Sequence, residues 1–137
     1  MIEKDQPDQD YHTVLVSHWI DKARNDLESA QGNFQSGRLA NAVRDIYFAC
    51  FHAVSALFMK EGKTFKRHSQ VRASFHRDLI KTGSIDISWG PFYEWVFDHR
   101  QQADYQPIAQ FESDEVGAIL DQAKAFVTEM RKLLESE

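Results

Sequence analysis

The strongest fold signal in the chain is "LANAVRDIYFACFHAVSALFMK", residues 39–60. Apolar residues recur in it at steps of three and four, which is the spacing of an amphipathic α-helix. They cover an unusually broad face: Leu39, Ala42, Val43, Ile46, Tyr47, Cys50, Ala53, Val54, Leu57 and Phe58. Because such a helix must be covered by neighbours on several sides, we predict that residues 39–60 form the central helix of an all-α domain.

A second amphipathic helix is predicted before it, over about residues 12–36. Gly37 supplies a stop, and the connection "SGR" (36–38) is so short that the two helices must run antiparallel. The apolar stripe of this helix consists of Trp19, Ala23, Leu27, Ala30 and Phe34. The polar residues 1–11 are predicted to be a flexible N-terminal tail, and residues 12–137 a single domain.

Three further helices are predicted after the central one. A shorter third helix ends near Gly83, and "GSIDISWGP" (83–91) is a loop. Pro91 suits the first turn of a fourth helix, and Ser113 is a candidate N-cap of a fifth that runs to the C-terminus. No segment has the pattern of a strand. The sequence therefore predicts an up-and-down bundle of four to five helices.

Composition limits the classes of protein that the chain can represent. A length of 137 residues fits one domain, and the single cysteine, Cys50, lies among apolar neighbours and is predicted to be a buried thiol. The polar start differs from a signal peptide, and no run reaches the 18 apolar residues of a membrane span. We predict a cytoplasmic protein.

The charge of the chain is unevenly distributed. The net charge is −5, yet residues 60–81 contain seven basic and two acidic residues and so carry +5, which leaves −10 for the remainder. This basic segment is either a solvated face or a local site for nucleic-acid phosphates. On the second interpretation the candidate RNA-binding residues are Lys63, Lys66, Arg67, His68 and Arg72.

A polar and aromatic cluster, "RQQADY" (100–105), lies at the predicted end of the fourth helix. Arg100 and Asp104 stand one helical turn apart on the same face, and Pro107 prevents the helix from running much further. The simplest interpretation is an ion pair that closes a helix. The alternative is a functional anion site.

Most sequence signatures of catalysis are missing from the chain. There is no Gly-rich phosphate loop, no Gly-x-Ser-x-Gly and no His-Glu-x-x-His. His68 and His76 lie two helical turns apart, too far to share one metal ion by themselves. His52 is predicted to be a core or interface histidine. We expect neither a metal site nor a cofactor.

Three patterns in order along the chain resemble the HEPN superfamily, and in particular its small prokaryotic UPF0332-like and toxin-like members. The resemblance covers about residues 12–134. An Arg-x-x-aromatic-aromatic-Ala pattern matches at Arg44, Tyr47, Phe48 and Ala49. A basic-His-x-x-Val pattern matches at Arg67, His68 and Val71. An Arg-x-x-Ala-Asp-Tyr pattern matches at Arg100, Ala103, Asp104 and Tyr105.

The resemblance implies a bundle that dimerises and, in many relatives, a metal-independent endoribonuclease. Those enzymes carry an Arg followed by a His, and two copies meet across a dimer cleft. Here Arg100 matches the Arg, Gln101 follows it, and Tyr105 stands in place of the His, an Arg-x4-Tyr variant. The implied catalytic residues are Arg100 for the phosphate, Asp104 to orient Arg100 or act as base, and Tyr105 as a proton or hydrogen-bond donor.

The resemblance also implies partners. Relatives often pair with a minimal nucleotidyltransferase as toxin and antitoxin, and in some the motif tyrosine is the residue that the partner modifies, which would here be Tyr105. A nucleotide on that tyrosine would repel RNA phosphate by its added negative charge. The alternative function is a non-catalytic module that binds a nucleotide or a partner protein.

Overall fold

The computed structural model describes residues 5–105 and 110–135, and the side chains of residues 11–104 and 110–135. Five α-helices follow one another in these ranges, and no β-strand occurs within them. They are α1 (Asp5–Gln35), α2 (Leu39–Lys60), α3 (His68–Phe75), α4 (Trp89–Tyr105) and α5 (Ser113–Glu135). The predicted all-α bundle is confirmed, while its dimerisation stays a prediction.

Helix α2 is the centre of the bundle and begins and ends where the sequence predicts. It packs against α1, α3, α4 and α5, and its buried residues lie on most of its circumference. By length and composition α2 is apolar enough to cross a membrane, but 67% of its most apolar window is buried inside the bundle. Its hydrophobicity is therefore explained by its position in the core, where burial of apolar area stabilises the fold.

Helix α1 begins within the segment that was predicted to be a tail. It starts at Asp5, and Pro7 lies in its first turn, where a missing backbone N–H costs no helical hydrogen bond. The division of the chain at residue 12 stays a prediction. The end of α1 is as predicted, because Gly37 adopts a positive φ of 79° and the amide of Arg38 donates to the carbonyl of Asn33 at 2.8 Å.

The chain between α2 and α4 positions the basic segment. Helix α3 continues directly into a π-helical turn, His76–Ile80, and the chain then turns at Gly83, which has a φ of 78°. Helix α4 starts at Trp89, so Pro91 lies in its first turn as predicted. Helix α5 begins at Ser113, so this residue lies one position inside the helix and is not the predicted N-cap: the amide of Val116 donates to the carbonyl of Glu112 at 3.0 Å. Pro107, which was predicted to limit α4, lies outside the described residues.

An aromatic layer between α2 and α4 sets the relative position of these helices. Tyr47 of α2 is 0% exposed, and its ring lies 5.9 Å from that of Phe97 and 6.5 Å from that of Tyr93. Tyr93 in turn stacks on Phe75 of α3 at 4.6 Å. Large rings packed edge to face leave little freedom for the helices to slide. The layer therefore holds α2, α3 and α4 in one register.

Two sequence predictions about core residues are confirmed. Cys50 is fully buried, and burial raises the pKa of its thiol well above the ordinary value, so it stays protonated. His52 is 9% exposed, stacks on Trp19 at 5.2 Å and bonds through Nδ1 to Asp26 at 2.6 Å. Neither residue needs a catalytic role to explain its position.

Candidate functional site

Arg100 lies on the last full turn of α4 with its guanidinium over two rings of α2. Its Cζ is 5.3 Å from the ring centre of Tyr47 and 5.5 Å from that of Phe48. The Nε atom lies 3.1 Å from Oδ2 of Asp104, and both side chains are only 20% exposed. The pair is not aligned as a hydrogen bond, so the buried Nε has no hydrogen-bond partner among the described residues. Arg100 is therefore a partly desolvated cation with donors still to be satisfied.

Asp104 is shared between two arginines from different helices. Its Oδ2 lies beside Arg100, and its Oδ1 accepts a hydrogen bond from Nη1 of Arg44 at 3.4 Å. Arg44 is held in turn by Asn41, to whose Oδ1 its Nη2 donates at 2.7 Å. Two guanidiniums around one carboxylate leave a net charge of +1 for the group. The arrangement favours a further anion.

His68 joins the same aromatic surface from the start of α3. Its Nδ1 lies 2.7 Å from the hydroxyl of Tyr47, and its ring stacks on Phe51 at 4.2 Å. Tyr47 therefore contacts Arg100 through its ring face and His68 through its hydroxyl. The structure brings together one residue from each of the three sequence patterns.

Burial and charge act on the protonation of this group. Burial lowers the pKa of His68, and the nearby charges of Arg100 and His52 lower it further. Burial also raises the pKa of Tyr47, although the charge of Arg100 opposes that effect. At neutral pH the imidazole is thus neutral and the phenol is protonated.

The basic segment divides into paired and unpaired cations. Lys63 lies 3.4 Å from Glu61 and 3.6 Å from Asp78, so its charge is largely balanced. Arg72 is also balanced, because its Nε lies 3.2 Å from Glu94. Lys66 and Arg67 are exposed and make no ion pair within the described part of the chain. Two cations without an ion pair to the described residues therefore stand directly before His68 in the chain.

The structure leaves one predicted site residue without a side-chain description. Tyr105 is the last residue of α4, which places its backbone one position beyond Asp104, but its side chain lies outside the described set. Its catalytic role stays a prediction. Sequence reasoning did not assign Arg44 or Tyr47 to the site, although both belong to the first quoted pattern and stand three residues apart on one face of α2.

The convergence of side chains, not the depth of a cavity, defines this site. A cavity of about 610 Å³ lies elsewhere, between the N-terminal part of α1, the end of α2 and the end of α5. None of its lining residues belongs to the three patterns; they are His12, Thr13, Val16, Ser17, Ile20, Lys60 and Leu134.

The protein is therefore of a class in which an all-α bundle brings three separate motifs together. These motifs build one positively charged group centred on an arginine. Comparison with known proteins gives the family. The chain matches the HEPN domain family over residues 16–133. It therefore belongs to the HEPN family, as the three patterns indicate.

Curated relatives extend over nearly the whole chain. A UPF0332 protein of Thermotoga maritima is 36% identical over 121 residues, which cover 88% of this chain and 92% of the relative. Two proteins of Methanocaldococcus jannaschii, each named "Putative toxin", are 29% and 28% identical. The first match covers 86% of this chain and 80% of that protein, and the second covers 84% and 85%. The chain is thus similar to a toxin-like group within the family.

Proposed function

We propose that this protein is a toxin-like, metal-independent endoribonuclease whose composite site forms at the cleft of a two-fold dimer. The observation that carries the proposal is the position of Arg100. It is a partly buried cation on an aromatic surface, it shares the carboxylate of Asp104 with Arg44, and its Nε forms no hydrogen bond with the described residues. A phosphate oxygen could be bound by the Nη donors of the same guanidinium.

The geometry suits the electrostatic part of RNA cleavage. Without metal, the reaction requires positive charge at the developing phosphorane and groups that move protons from the 2′-hydroxyl and to the 5′-oxygen. Arg100 can supply the charge, because a guanidinium binds phosphate oxygens through two parallel hydrogen bonds and stays protonated. The exposed Lys66 and Arg67 would guide the RNA backbone toward it.

Asp104 is better suited to positioning than to proton transfer. One of its oxygens lies beside Arg100 and the other accepts from Arg44, so both oxygens already face a cation. In this arrangement it orients the two guanidiniums. Tyr105 would act as a hydrogen-bond or proton donor to the leaving oxygen, or as the acceptor of a nucleotidyl group.

The proposed partners follow from the family and from the names of the relatives. Two copies of the "RQQADY" segment would face one cleft, since a single Arg100 cannot make every contact that a scissile phosphate needs. A minimal nucleotidyltransferase would serve as cytoplasmic antitoxin. Modification of Tyr105 by that partner would add negative charge beside Arg100 and Asp104 and block RNA.

A second candidate is a non-catalytic module that binds a nucleotide or a partner protein. It is favoured by Tyr105 in place of the usual His and by the engagement of both oxygens of Asp104. This candidate keeps the same anion site and lacks only the proton transfer.

One experiment separates the two candidates. Purified protein is incubated with a mixed-sequence RNA in EDTA, in parallel with Arg100→Ala and with Arg24→Ala as control. Arg24 is a suitable control because it is also an arginine paired with an aspartate, Asp21, at 3.5 Å, but is 54% exposed on α1. Cleavage by the wild type and by Arg24→Ala, and not by Arg100→Ala, supports the ribonuclease. RNA or nucleotide binding without cleavage, lost in Arg100→Ala, supports the binding module.

A further inference from the structure

His68 differs from two other histidines of the bundle that are bound by carboxylates. Nδ1 of His52 bonds to Asp26 at 2.6 Å, and Nε2 of His76 bonds to Glu94 at 2.6 Å. His68 instead bonds through Nδ1 to a phenol, Tyr47, at 2.7 Å. Its Nε2 makes no hydrogen bond to any part of the chain that the structure describes. One ring nitrogen is thus held and the other is left for another molecule.

We propose that His68 is the proton-transfer residue of the site, with Tyr47 holding Nδ1 and Nε2 taking the proton of the RNA 2′-hydroxyl. The inference rests on the proposed ribonuclease function. It assigns the proton transfer to a histidine of α3, since α4 carries Tyr105 at the position where a histidine is usual. His68 was predicted from the sequence only as an RNA contact.

The hydroxyl of Tyr47 suits this role because it can either donate or accept a hydrogen bond. When Nδ1 carries a proton it donates to the phenol oxygen, and Nε2 then presents its lone pair. After Nε2 takes a second proton, the Nδ1–H donor is unchanged. The bond therefore persists in both protonation states, and the fully buried Tyr47 keeps the ring in one orientation.

The charges that face His68 favour the neutral imidazole. From α4 it faces Arg100, and from α2 it faces Tyr47 and His52, while Arg67 precedes it on the chain. Among the described carboxylates none is paired with it. Burial and the charge of Arg100 lower its pKa, so the base form predominates at neutral pH.

The proposed step balances without a metal or a redox partner. Nε2 takes the 2′-hydroxyl proton while the 2′-oxygen bonds to phosphorus. The bond from phosphorus to the 5′-oxygen breaks, and that oxygen leaves with the electron pair and takes a proton from water. Arg100 binds the non-bridging oxygens throughout, and the proton on Nε2 then returns to solvent. The products are a 2′,3′-cyclic phosphate and a free 5′-hydroxyl.

The test measures single-turnover cleavage against pH for the wild type, His68→Gln, Tyr47→Phe and the control His76→Gln. The wild-type rate should rise with pH and level off, with a midpoint that matches the titration of His68 by NMR. In His68→Gln the cleavage rate should fall by about 100-fold or more and should no longer rise with pH, while the RNA Kd should change less than about threefold. Tyr47→Phe should move the midpoint, and His76→Gln should leave it in place.

A modified substrate separates base from acid. An RNA with sulfur at the scissile 5′ position has a leaving group that needs no proton, so it would rescue His68→Gln only if His68 were the acid. We expect no rescue. Rescue, an unchanged rate in His68→Gln, or a fall in RNA binding equal to the fall in rate would each overturn the inference.

The failure of this inference is distinguishable from that of the ribonuclease proposal. Cleavage by the wild type, His76→Gln and His68→Gln, together with no cleavage by Arg100→Ala, would mean that only the role of His68 is wrong. If the wild type does not cleave RNA, both proposals are wrong. Circular dichroism checks that each variant folds, and the match between the wild-type pH profile and the His68 titration tests the inference without any variant.

Discussion

Asp104 accepts a hydrogen bond from Arg44 at 3.4 Å, although the two residues lie 60 positions apart in the sequence. The contact joins the N-terminal part of α2, where Arg44 lies, to the end of α4. Because Asp104 also lies 3.1 Å from Arg100, a single carboxylate holds two cations at one place. The charge of the candidate site therefore depends on Asp104.

Replacing this carboxylate by its amide should separate binding from cleavage. Asp104→Asn removes one negative charge, so the net charge around Arg44 and Arg100 rises from +1 to +2 and RNA should bind about threefold or more tightly at low salt. Cleavage should nevertheless slow, because Arg100 loses the group that orients it. Fluorescence polarisation and single-turnover rates measure the two effects. Weaker RNA binding would contradict the positioning role.

Removing Arg100 should abolish function at little cost in stability. Arg100→Ala loses the contacts with Tyr47 and Phe48 but also removes a buried Nε that has no hydrogen-bond partner among the described residues, so the free energy of unfolding should fall by about 1 kcal/mol or less. Urea denaturation measures this cost, with Arg24→Ala as the matched control. A loss of several kcal/mol in Arg100→Ala alone would mean that the cluster serves the fold.

The basic segment should contribute unequally to RNA binding. Lys66 and Arg67 are exposed without ion pairs to described residues, whereas Lys63 and Arg72 are paired with carboxylates. The double change Lys66→Gln/Arg67→Gln should therefore weaken binding to all sequences and reduce the magnitude of the salt slope by about 1.4 to 1.8, since each phosphate contact contributes about 0.7 to 0.9. Lys63→Gln/Arg72→Gln removes the same formal charge and should have a smaller effect. Equal effects would show that the ion pairs do not screen these cations.

The lowered pKa of His68 predicts how stability depends on pH. An unfolded histidine titrates near 6.5, and the folded one titrates lower, so between these values the unfolded chain binds more protons. The contribution of His68 is fully present above the unfolded pKa and is lost as pH falls through the folded pKa. The difference in the free energy of unfolding between the wild type and His68→Gln, measured by urea denaturation from pH 8 to pH 5, gives this contribution. A difference between them that is independent of pH would contradict the prediction.

A related measurement tests the electrostatic cause. Because the charge of Arg100 lowers the pKa of His68, Arg100→Ala should raise that pKa in an NMR titration, while Arg24→Ala should not. An unchanged titration in Arg100→Ala would mean that burial alone accounts for the shift.

The proposed composite site would require a second copy of the chain. The protein should be a two-fold dimer at micromolar concentration, with the ends of both α4 helices facing one cleft. Light scattering should give about twice the 15.9 kDa of one chain. A monomer under these conditions would remove the composite mechanism and leave a one-chain anion site.

Local patterns in the sequence are sufficient to predict the helices and the motifs. The apolar period of residues 39–60 predicted α2 at both ends, Gly37 predicted the end of α1, and Pro91 and Ser113 predicted the starts of α4 and α5. These signals are local, since periodicity, a glycine at positive φ and a proline in a first turn act within a few residues. The start of α1 at Asp5 was missed because the polar N-terminal residues carry no apolar stripe to mark it.

Which charged groups meet depends instead on how the helices pack. The sequence placed Arg100 and Asp104 one turn apart, but it could not show that Asp104 also holds Arg44 or that Tyr47 bonds to His68. Likewise, five candidate RNA-binding residues looked alike until Glu61, Asp78 and Glu94 were found beside two of them. Such contacts join residues on different helices, and their distances depend on how the aromatic layer packs α2 against α3 and α4. Hydrogen bonds and ion pairs weaken within an ångström or two, so a helical pattern that is accurate to one turn still leaves them undetermined.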